Sequence, residues 1–364
     1  MRAQLVRSEF QRELGLVQSV VERRPTIPIL SYIRCEVRDG RVWFTGTDLD
    51  VSLKSECPAD VVEPGVVCLP ARKLFEIVRS LPDELPVVIE GTEERVQLVC
   101  GRSRFRLAGL PAENFPEIPV FPTDGVQVFS ASTWRNGIER VIFATTMEEM
   151  RYTLSGVQVE WWADGVRMVA TDGHRLALWE TGEPPAERRS CLVPKRAFVE
   201  LKRMIGESDV GFVADVNHAY FRTEGRELVS RLLTGQFPNY EMVIPKEVGV
   251  RAVVSAVEFR EACRRVGILA DERGRGVRLS FSSGKVVLTA RSAEVDEEAQ
   301  EEVECAYDGE PMEVMFNVEY LRDFFEVVDG DVEIGLKDEF NPALFRPLSG
   351  DGRYLYVVMP MRLM

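Results

Sequence analysis

One amphipathic pattern recurs three times along the 364 residues, and few folds can accommodate that. Apolar residues at helical spacing follow Phe10, Trp134 and Phe259 in the segments SEFQRELGLVQSVV, STWRNGIERVIFAT and SAVEFREACRRVGIL. The three aromatics stand 124 and 125 residues apart. A second helical pattern keeps the same beat from Pro70, Pro194 and Asn317 (LPARKLFEIVRSLP, VPKRAFVELKRMIG, FNVEYLRDFFEVVDG), at steps of 124 and 123. The first two copies also share Thr47-Asp48 and Thr171-Asp172, 124 apart, and Phe115-Pro116 and Phe237-Pro238, 122 apart. Two helices held in phase over the whole chain are a repeat, not an effect of composition. Solenoid units of roughly 20–50 residues cannot bury their own faces, whereas a unit of about 120 residues has the size of an independent domain. The chain therefore reads as three tandem domains, 1–123, 126–245 and 250–364. Their short proline-bearing joints, 116–122 and 245–247, suit stiff connections.

Between the helices, apolar and polar residues alternate. Strands are predicted at 41–53, 156–162, 166–170, 277–290, 312–316 and 332–336, with hairpin dipeptides at Asp39-Gly40, Asp164-Gly165 and Ser283-Gly284. Each domain is then two helices on antiparallel sheet, an α+β fold with the helices gathered on one face.

Hydrophobic residues make up 45% of the chain, enough for three cores, and no window approaches the roughly 20 apolar residues of a membrane span. The start, MRAQLVRSEF, lacks the apolar stretch of a signal peptide, so a cytoplasmic protein is expected. Seven scattered cysteines show no metal or redox spacing, and the odd count argues for buried free thiols over a disulfide framework.

The net charge of −14 argues at first against a nucleic-acid partner, but its distribution matters more. The helical windows 9–21, 70–81, 133–145, 194–205, 257–269 and 318–328 hold 14 basic and 10 acidic residues, leaving −18 on the rest of the chain. Arg72, Lys73 and Arg79 gather on one side of one helix, and Lys195, Arg196, Lys202 and Arg203 on one side of another. The third copy departs from this: Glu319, Asp323 and Glu326 outnumber Arg322. Such faces are either solvated helix surfaces or one shared basic surface.

The best catalytic candidate is Asp172-Gly173-His174-Arg175, with Asp172 and His174 on one face of a strand. The chain has only two histidines, and no nucleophile elbow, phosphate loop or zinc spacing accompanies them. A Thr-Asp pair duplicated without its histidine reads as a turn element. A non-catalytic binding protein without cofactor or metal is expected.

Local motifs add a resemblance. RPTIPIL at 24–30, TGTD at 45–48, LPARK at 69–73, GRSRF at 101–105, ATDGHRL at 170–176, FP at 237–238, GVRL at 276–279 and YVVMPMRL at 356–363 stand in order over the full chain. Together they resemble the bacterial sliding clamps, the beta subunits of DNA polymerase III; one departure is Met364 after the usual Arg-Leu ending. The resemblance implies a DNA clamp fold and a head-to-tail homodimer. Six domains would close a ring around double-stranded DNA in the nucleoid, helices inside and sheets outside. It implies DNA contacts from Arg24, Lys73, Arg151, Tyr152, Lys195, Arg196 and Arg203. It implies a dimer interface in which Lys73, Phe105 and Leu107 meet Ile268 and Leu269, with Glu297, Glu298, Glu301 and Glu302 facing Lys73 and Arg102. Ile268 and Leu269 could equally be core residues at a helix end. It also implies a pocket for short peptides, formed by Arg151, Tyr152, Leu154, Thr171, Gly173, His174, Arg175, Leu176, Pro238, Val243, Val357, Met359, Pro360, Met361 and Arg362, with Arg175 and Arg362 anchoring polar groups. Partners implied are the DNA polymerase III alpha subunit, the clamp loader complex, and other polymerases, repair and ligation proteins. The competing reading is a three-domain assembly scaffold that does not bind DNA.

Overall fold

The computed structural model describes residues 1–22, 25–146, 148–271, 274–292, 297–307, 309–350 and 352–362. They form two compact units, Met1–Arg135 with Val193–Leu232, and Asn136–Leu192 with Leu233–Met364. The predicted helices are α1 (Arg7–Val20), α2 (Ala71–Ser80), α3 (Ala131–Val141), α4 (Lys195–Met204), α5 (Ala256–Val266) and α6 (Val318–Phe325).

The residues that mark the repeat have physical tasks. Phe10, Trp134 and Phe259 are fully buried. Phe10 stacks on Phe44 at 5.2 Å, Trp134 meets Phe212 and Phe221 at 5.1 Å each, and Phe259 lies 4.6 Å from Phe325. Pro70 and Pro194 stand just before α2 and α4, and Asn317 takes that place before α6. The position needs extended backbone. Proline meets the need with its locked ring; Asn317 does so by accepting a hydrogen bond from the Glu319 N–H at 2.9 Å. Helices α3 and α5 end sooner than their periodicity predicts, turning into 3-10 helices at Ile142–Ala144 and Gly267–Leu269.

The first unit is built on a sheet ordered Ser103–Ala108, Arg95–Cys100, Val87–Gly91, Arg2–Leu5, Val51–Glu63, Arg226–Arg231, His218–Thr223, Val210–Ala214, Gln127–Phe129. Strand Val51–Glu63 also pairs with Arg41–Thr47, which leads on to Tyr32–Arg38 and Gly65–Pro70. The predicted strand 41–53 is broken here by a turn at Asp48–Asp50, where Leu49 adopts φ +80°. The second unit carries a sheet ordered Arg189–Pro194, Gly156–Trp162, Gly165–Thr171, Arg175–Glu180, Arg353–Val358, Ala343–Pro347, Asp331–Leu336, Val250–Ser255, Glu297–Ala306, Lys285–Ser292, Gly276–Ser282, Met312–Asn317. The pairings between these strands are antiparallel. Two hairpins turn where the sequence places them, Asp39 and Gly40 taking φ +51° and +72° as a two-residue turn between right-twisted strands requires. The third turns one residue early at Ala163-Asp164, with Gly165 already paired to Trp162.

All seven cysteines are free and buried, and burial pushes the thiols of Cys57 and Cys191 up to about 12. Among the described residues no helix is long and apolar enough to cross a membrane, and no His/Cys/Asp/Glu cluster could hold a metal ion.

Candidate functional site

The duplicated Thr-Asp is a turn built twice from the same hydrogen bonds. Thr47 Oγ1 donates to the Val51 carbonyl at 3.1 Å, and Asp48 Oδ1 accepts from the N–H of Asp50 and Val51 at 3.1 and 2.7 Å. Thr171 Oγ1 donates to the Arg175 carbonyl at 2.6 Å, and Asp172 Oδ1 accepts from His174 and Arg175 at 2.9 and 3.0 Å. Gly173 occupies the left-handed position of the second turn at φ +90°. Asp172 and His174 therefore lie in a turn, as the duplicated Thr-Asp pair implies, and not along the strand face that the catalytic reading needs; the carboxylate serves backbone N–H groups.

This second turn gathers much of the expected peptide pocket. Strand register sets Thr171 opposite Leu176 and Leu176 opposite Val357. Leu176 and Val357 share a buried cluster with Val169, Leu178, Leu355, Phe237 and Tyr240, and Leu154 packs against it. Phe237 and Tyr240 anchor the linker inward, so that its neighbours Pro238 and Val243 stay exposed. The chain end is held at two points: the Met359 N–H donates to the His174 carbonyl at 2.9 Å, and that of Met361 to the Met315 carbonyl at 2.7 Å. Met359 remains 43% exposed beside this apolar floor. Arg151 Nη1 donates to the Asp172 carbonyl at 2.9 Å, while its Nε lies 3.2 Å from Glu148. Tyr152, Pro360 and Arg362 contribute exposed or half-exposed surface.

Arg175 differs from its expected role as an anchor for ligands. Its guanidinium is buried and engaged within the unit, with Nε on Asp172 at 3.1 Å, Nη1 on Asp323 at 2.5 Å and Nη2 on the Phe143 carbonyl at 2.8 Å. It also lies 4.4 Å over the Tyr320 ring. Burial pushes its pKa down, but Tyr356 and Asp323 outweigh that, so the cation is firmly held. Arg175 braces the turn against α6.

The remaining expected residues fall in separate places. Arg24 lies outside the described residues. Lys73 is exposed on α2 with Arg72 and Arg79, and Lys195 is half-buried on α4. Arg196 pairs with Asp48 and donates to the Val20 carbonyl at 3.0 Å; Arg203 pairs with Glu200 at 3.0 Å. Phe105 and Leu107 sit on Ser103–Ala108, the outermost strand of its sheet, alternating with exposed Arg104 and Arg106. In the second unit, Glu297–Ala306 pairs along its length with Lys285–Ser292, but on its other side, among the described residues, only Cys305 and Ala306 pair, with Val254 and Val253. Glu301 accepts from Arg265 at 2.7 Å, Glu302 from Lys285 at 2.7 Å, and Glu298 from Arg291. Ile268, 75% exposed, and half-buried Leu269 lie just after α5, so Ile268 is not a core residue.

Sequence reasoning missed Tyr320, Asp323, Glu160, Arg167 and Tyr240. A signal existed for two of them: Glu160 and Arg167 are the charged residues of strands that are otherwise uncharged and mostly buried.

Family models described as the N-terminal, central and C-terminal domains of the DNA polymerase III beta subunit match residues 1–119, 129–239 and 241–362. The beta sliding clamp of Pseudomonas aeruginosa is 38% identical, with all of both chains covered. That of Caulobacter vibrioides is 36% identical over the same full coverage. The crystal structure of the P. aeruginosa DNA polymerase III subunit beta superimposes with a TM-score of 0.93 at 37% identity, covering all of both chains. A P. aeruginosa DnaN sliding clamp bound to griselimycin gives 0.94 at the same identity and coverage. The three-domain clamp fold is shared throughout.

Proposed function

The chain belongs to the DNA polymerase III beta subunit family, whose members are non-catalytic sliding clamps, and from that premise we propose how it works. Two copies join head to tail into a ring of six domains (1–123, 126–245 and 250–364 in each) that encircles double-stranded DNA. The ring slides along the duplex and tethers polymerases and other DNA-processing proteins through the pocket floored by Leu176 and Val357.

The observation that carries the proposal is a pair of unlike, unfilled sheet edges. Ser103–Ala108 presents an outer edge flanked by Arg102, Arg104 and Arg106. Residues 297–304 present an open edge bearing Glu297, Glu298, Glu301, Glu302 and Glu304. Exposed edges invite pairing with another chain, and a strand of arginines beside a strand of glutamates fixes partner and register. The two edges differ, so the contact is heterologous, and it makes a closed ring when its rotation closes. Phe105 and Leu107 on one side and Ile268 and Leu269 on the other supply the apolar part.

Retention on DNA then comes from topology. Lys73 and Arg79 give α2 an exposed cationic face, while Arg72, Arg196 and Arg203 already share their charge with Glu76, Asp48 and Glu200. Contacts weakened in this way suit sliding, since each phosphate fully neutralised would steepen the salt dependence and hold the ring in place. Because a P. aeruginosa relative binds griselimycin, we take that compound as the probe of the proposed pocket.

The loaded protein is expected to stay on closed circular DNA and to run off once the circle is cut; equal loss from both forms would refute the ring. Replacing both Ile268 and Leu269 with glutamate is expected to give a soluble monomer in sedimentation equilibrium at micromolar concentration. A dimer that persists would refute the assigned interface.

A further inference from the structure

The linker bearing Pro238 and Val243 is tied down by a charged ladder that none of the roles above uses. Strand register sets Glu160 opposite Arg167, Arg167 opposite Glu180, and Glu180 opposite Arg353, a line of alternating charge across four strands. Glu160, Arg167 and Glu180 are buried. Arg167 Nε donates to Glu180 at 2.5 Å, and its Nη1 donates to the Tyr240 hydroxyl at 2.9 Å and to Glu241 at 3.3 Å. The Tyr240 hydroxyl donates onward to Glu160 at 2.8 Å. Arg188 pairs with Glu160 and donates to Glu241 at 2.9 Å; Arg353 donates to Glu180 at 3.1 Å.

The ladder thus ends on two consecutive linker residues, Tyr240 and Glu241. The Tyr240 carbonyl accepts from the Val243 N–H at 3.1 Å, and the Tyr240 ring lies 6.3 Å from that of Phe237, next to Pro238. Buried ion pairs are a poor source of stability, because desolvation offsets their attraction and apolar residues of the same size do as well. What such an arrangement supplies is a fixed position. Here the fixed object is a tyrosine hydroxyl, seated between a donor and an acceptor at the root of the turn that carries Val243.

We infer that the Glu160–Arg167–Glu180 ladder is a positioning device that holds the 237–243 linker as a ready-made wall of the peptide pocket. Arg167, Glu160 and Tyr240 act through Pro238 and Val243 and touch no ligand. The inference rests on the pocket reading of the preceding section. A wall already in place removes the ordering cost that a loose linker would impose at the moment of binding.

Tyr240→Phe deletes only the hydroxyl and leaves Arg167 and Glu160 within 3.7 Å of each other. Calorimetry is expected to show griselimycin binding roughly tenfold weaker, the order of one charge-assisted hydrogen bond. Amide hydrogen exchange is expected to quicken at 241–244. Tyr354→Phe is the control: its hydroxyl donates to the Arg140 carbonyl at 2.7 Å, away from the linker. A merely structural role for Tyr240 would lower the melting temperature in both variants and leave affinity alone. Wild-type affinity in folded Tyr240→Phe therefore overturns the inference. Failure of the wild type itself to bind overturns the pocket reading and this inference with it.

Discussion

In the first unit the cross-strand row Thr47, Ser52, Val229 is followed by the row Thr45, Lys54, Glu227. In the second unit the corresponding rows are Thr171, Leu176, Val357 and Val169, Leu178, Leu355. Both faces lie under a Phe-Pro linker; a cleft of about 670 Å³ meets the first at Ser52, Lys54 and Glu227, and another of about 670 Å³ meets the second at Leu178 and Leu355, beside Arg167, Arg346 and Arg353. One floor is polar, the other apolar. A bound apolar side chain gains nothing over Ser52, Lys54 and Glu227, whereas the buried Leu176 and Val357 put apolar packing beneath the second face. Repetition has copied the architecture, and side-chain chemistry on one pair of rows sets the two faces apart. The helix-facing side shows a second exchange. Glu13 of α1 accepts from Ser55, and 124 residues later Gly137 of α3 faces Trp179. A large residue on the helix meets a small one on the strand, then the reverse.

The harshest way to break this equivalence is Gly137→Glu, which puts the first copy's residue into the second. A Cβ at Gly137 would stand 2.7 Å from Met168 Sδ and 2.8 Å from the Trp179 ring, and the carboxylate would be buried against apolar groups. The expected loss is about 4 kcal/mol or more in urea unfolding, from overpacking and an unpaired buried charge. Adding Trp179→Ser is expected to recover part of it in a double-mutant cycle. A Gly137→Glu chain as stable as wild type would sink the idea of exchanged volumes.

Leu176→Ser sharpens the comparison on the other face by giving the second unit the first unit's floor. Griselimycin affinity is expected to fall about tenfold or more, in line with roughly 1.5–3 kcal/mol for the apolar contact of one leucine side chain. Ser52→Leu is expected to leave it unchanged. Equal binding by wild type and Leu176→Ser would mean that floor chemistry does not separate the two faces.

How much of this was legible in the sequence depends on distance along the chain. Helix periodicity, the phase markers and the hairpin dipeptides are local signals, and α1 to α6 fall where they point. The Thr-Asp turn was legible because it occurs twice. Its interruption of the predicted strand 41–53 was hidden, since Leu49 is no ordinary residue for positive φ. Contacts between segments distant in the chain escaped: Glu180 meets Arg353 through sheet register, and Arg175 meets Asp323 on α6, across 173 and 148 residues with no spacing rule to announce them. The pocket residues came from a family resemblance, and periodicity alone could not tell Arg175 as a brace from Arg175 as a ligand anchor.

The mildest test concerns the ion-paired member of the Glu13–Gly137 comparison. Glu13 is buried on α1 and accepts from Arg226 at 2.8 and 2.6 Å, from Arg12 at 2.6 Å and from Ser55. Burial pushes its carboxyl up, but the hydrogen bonds from Arg226, Ser55 and Arg12 outweigh that and hold it below the ordinary 4.5. A carboxylate with a depressed folded pKa contributes stability that is fully present above the unfolded value and fades as pH falls through the folded one. Glu13→Gln keeps the shape and loses the charge, so at neutral pH it should cost about 2 kcal/mol, the range of hydrogen bonds to a charged group. The gap between wild type and variant in urea midpoint should then stay constant down to about pH 4.5 and narrow below it, because protonated Glu13 and Gln are electrically alike. Curves that remain parallel into the acid range would show that Glu13 is not the charged counterpart of Gly137, and the exchange between the two copies would reduce to one of volume.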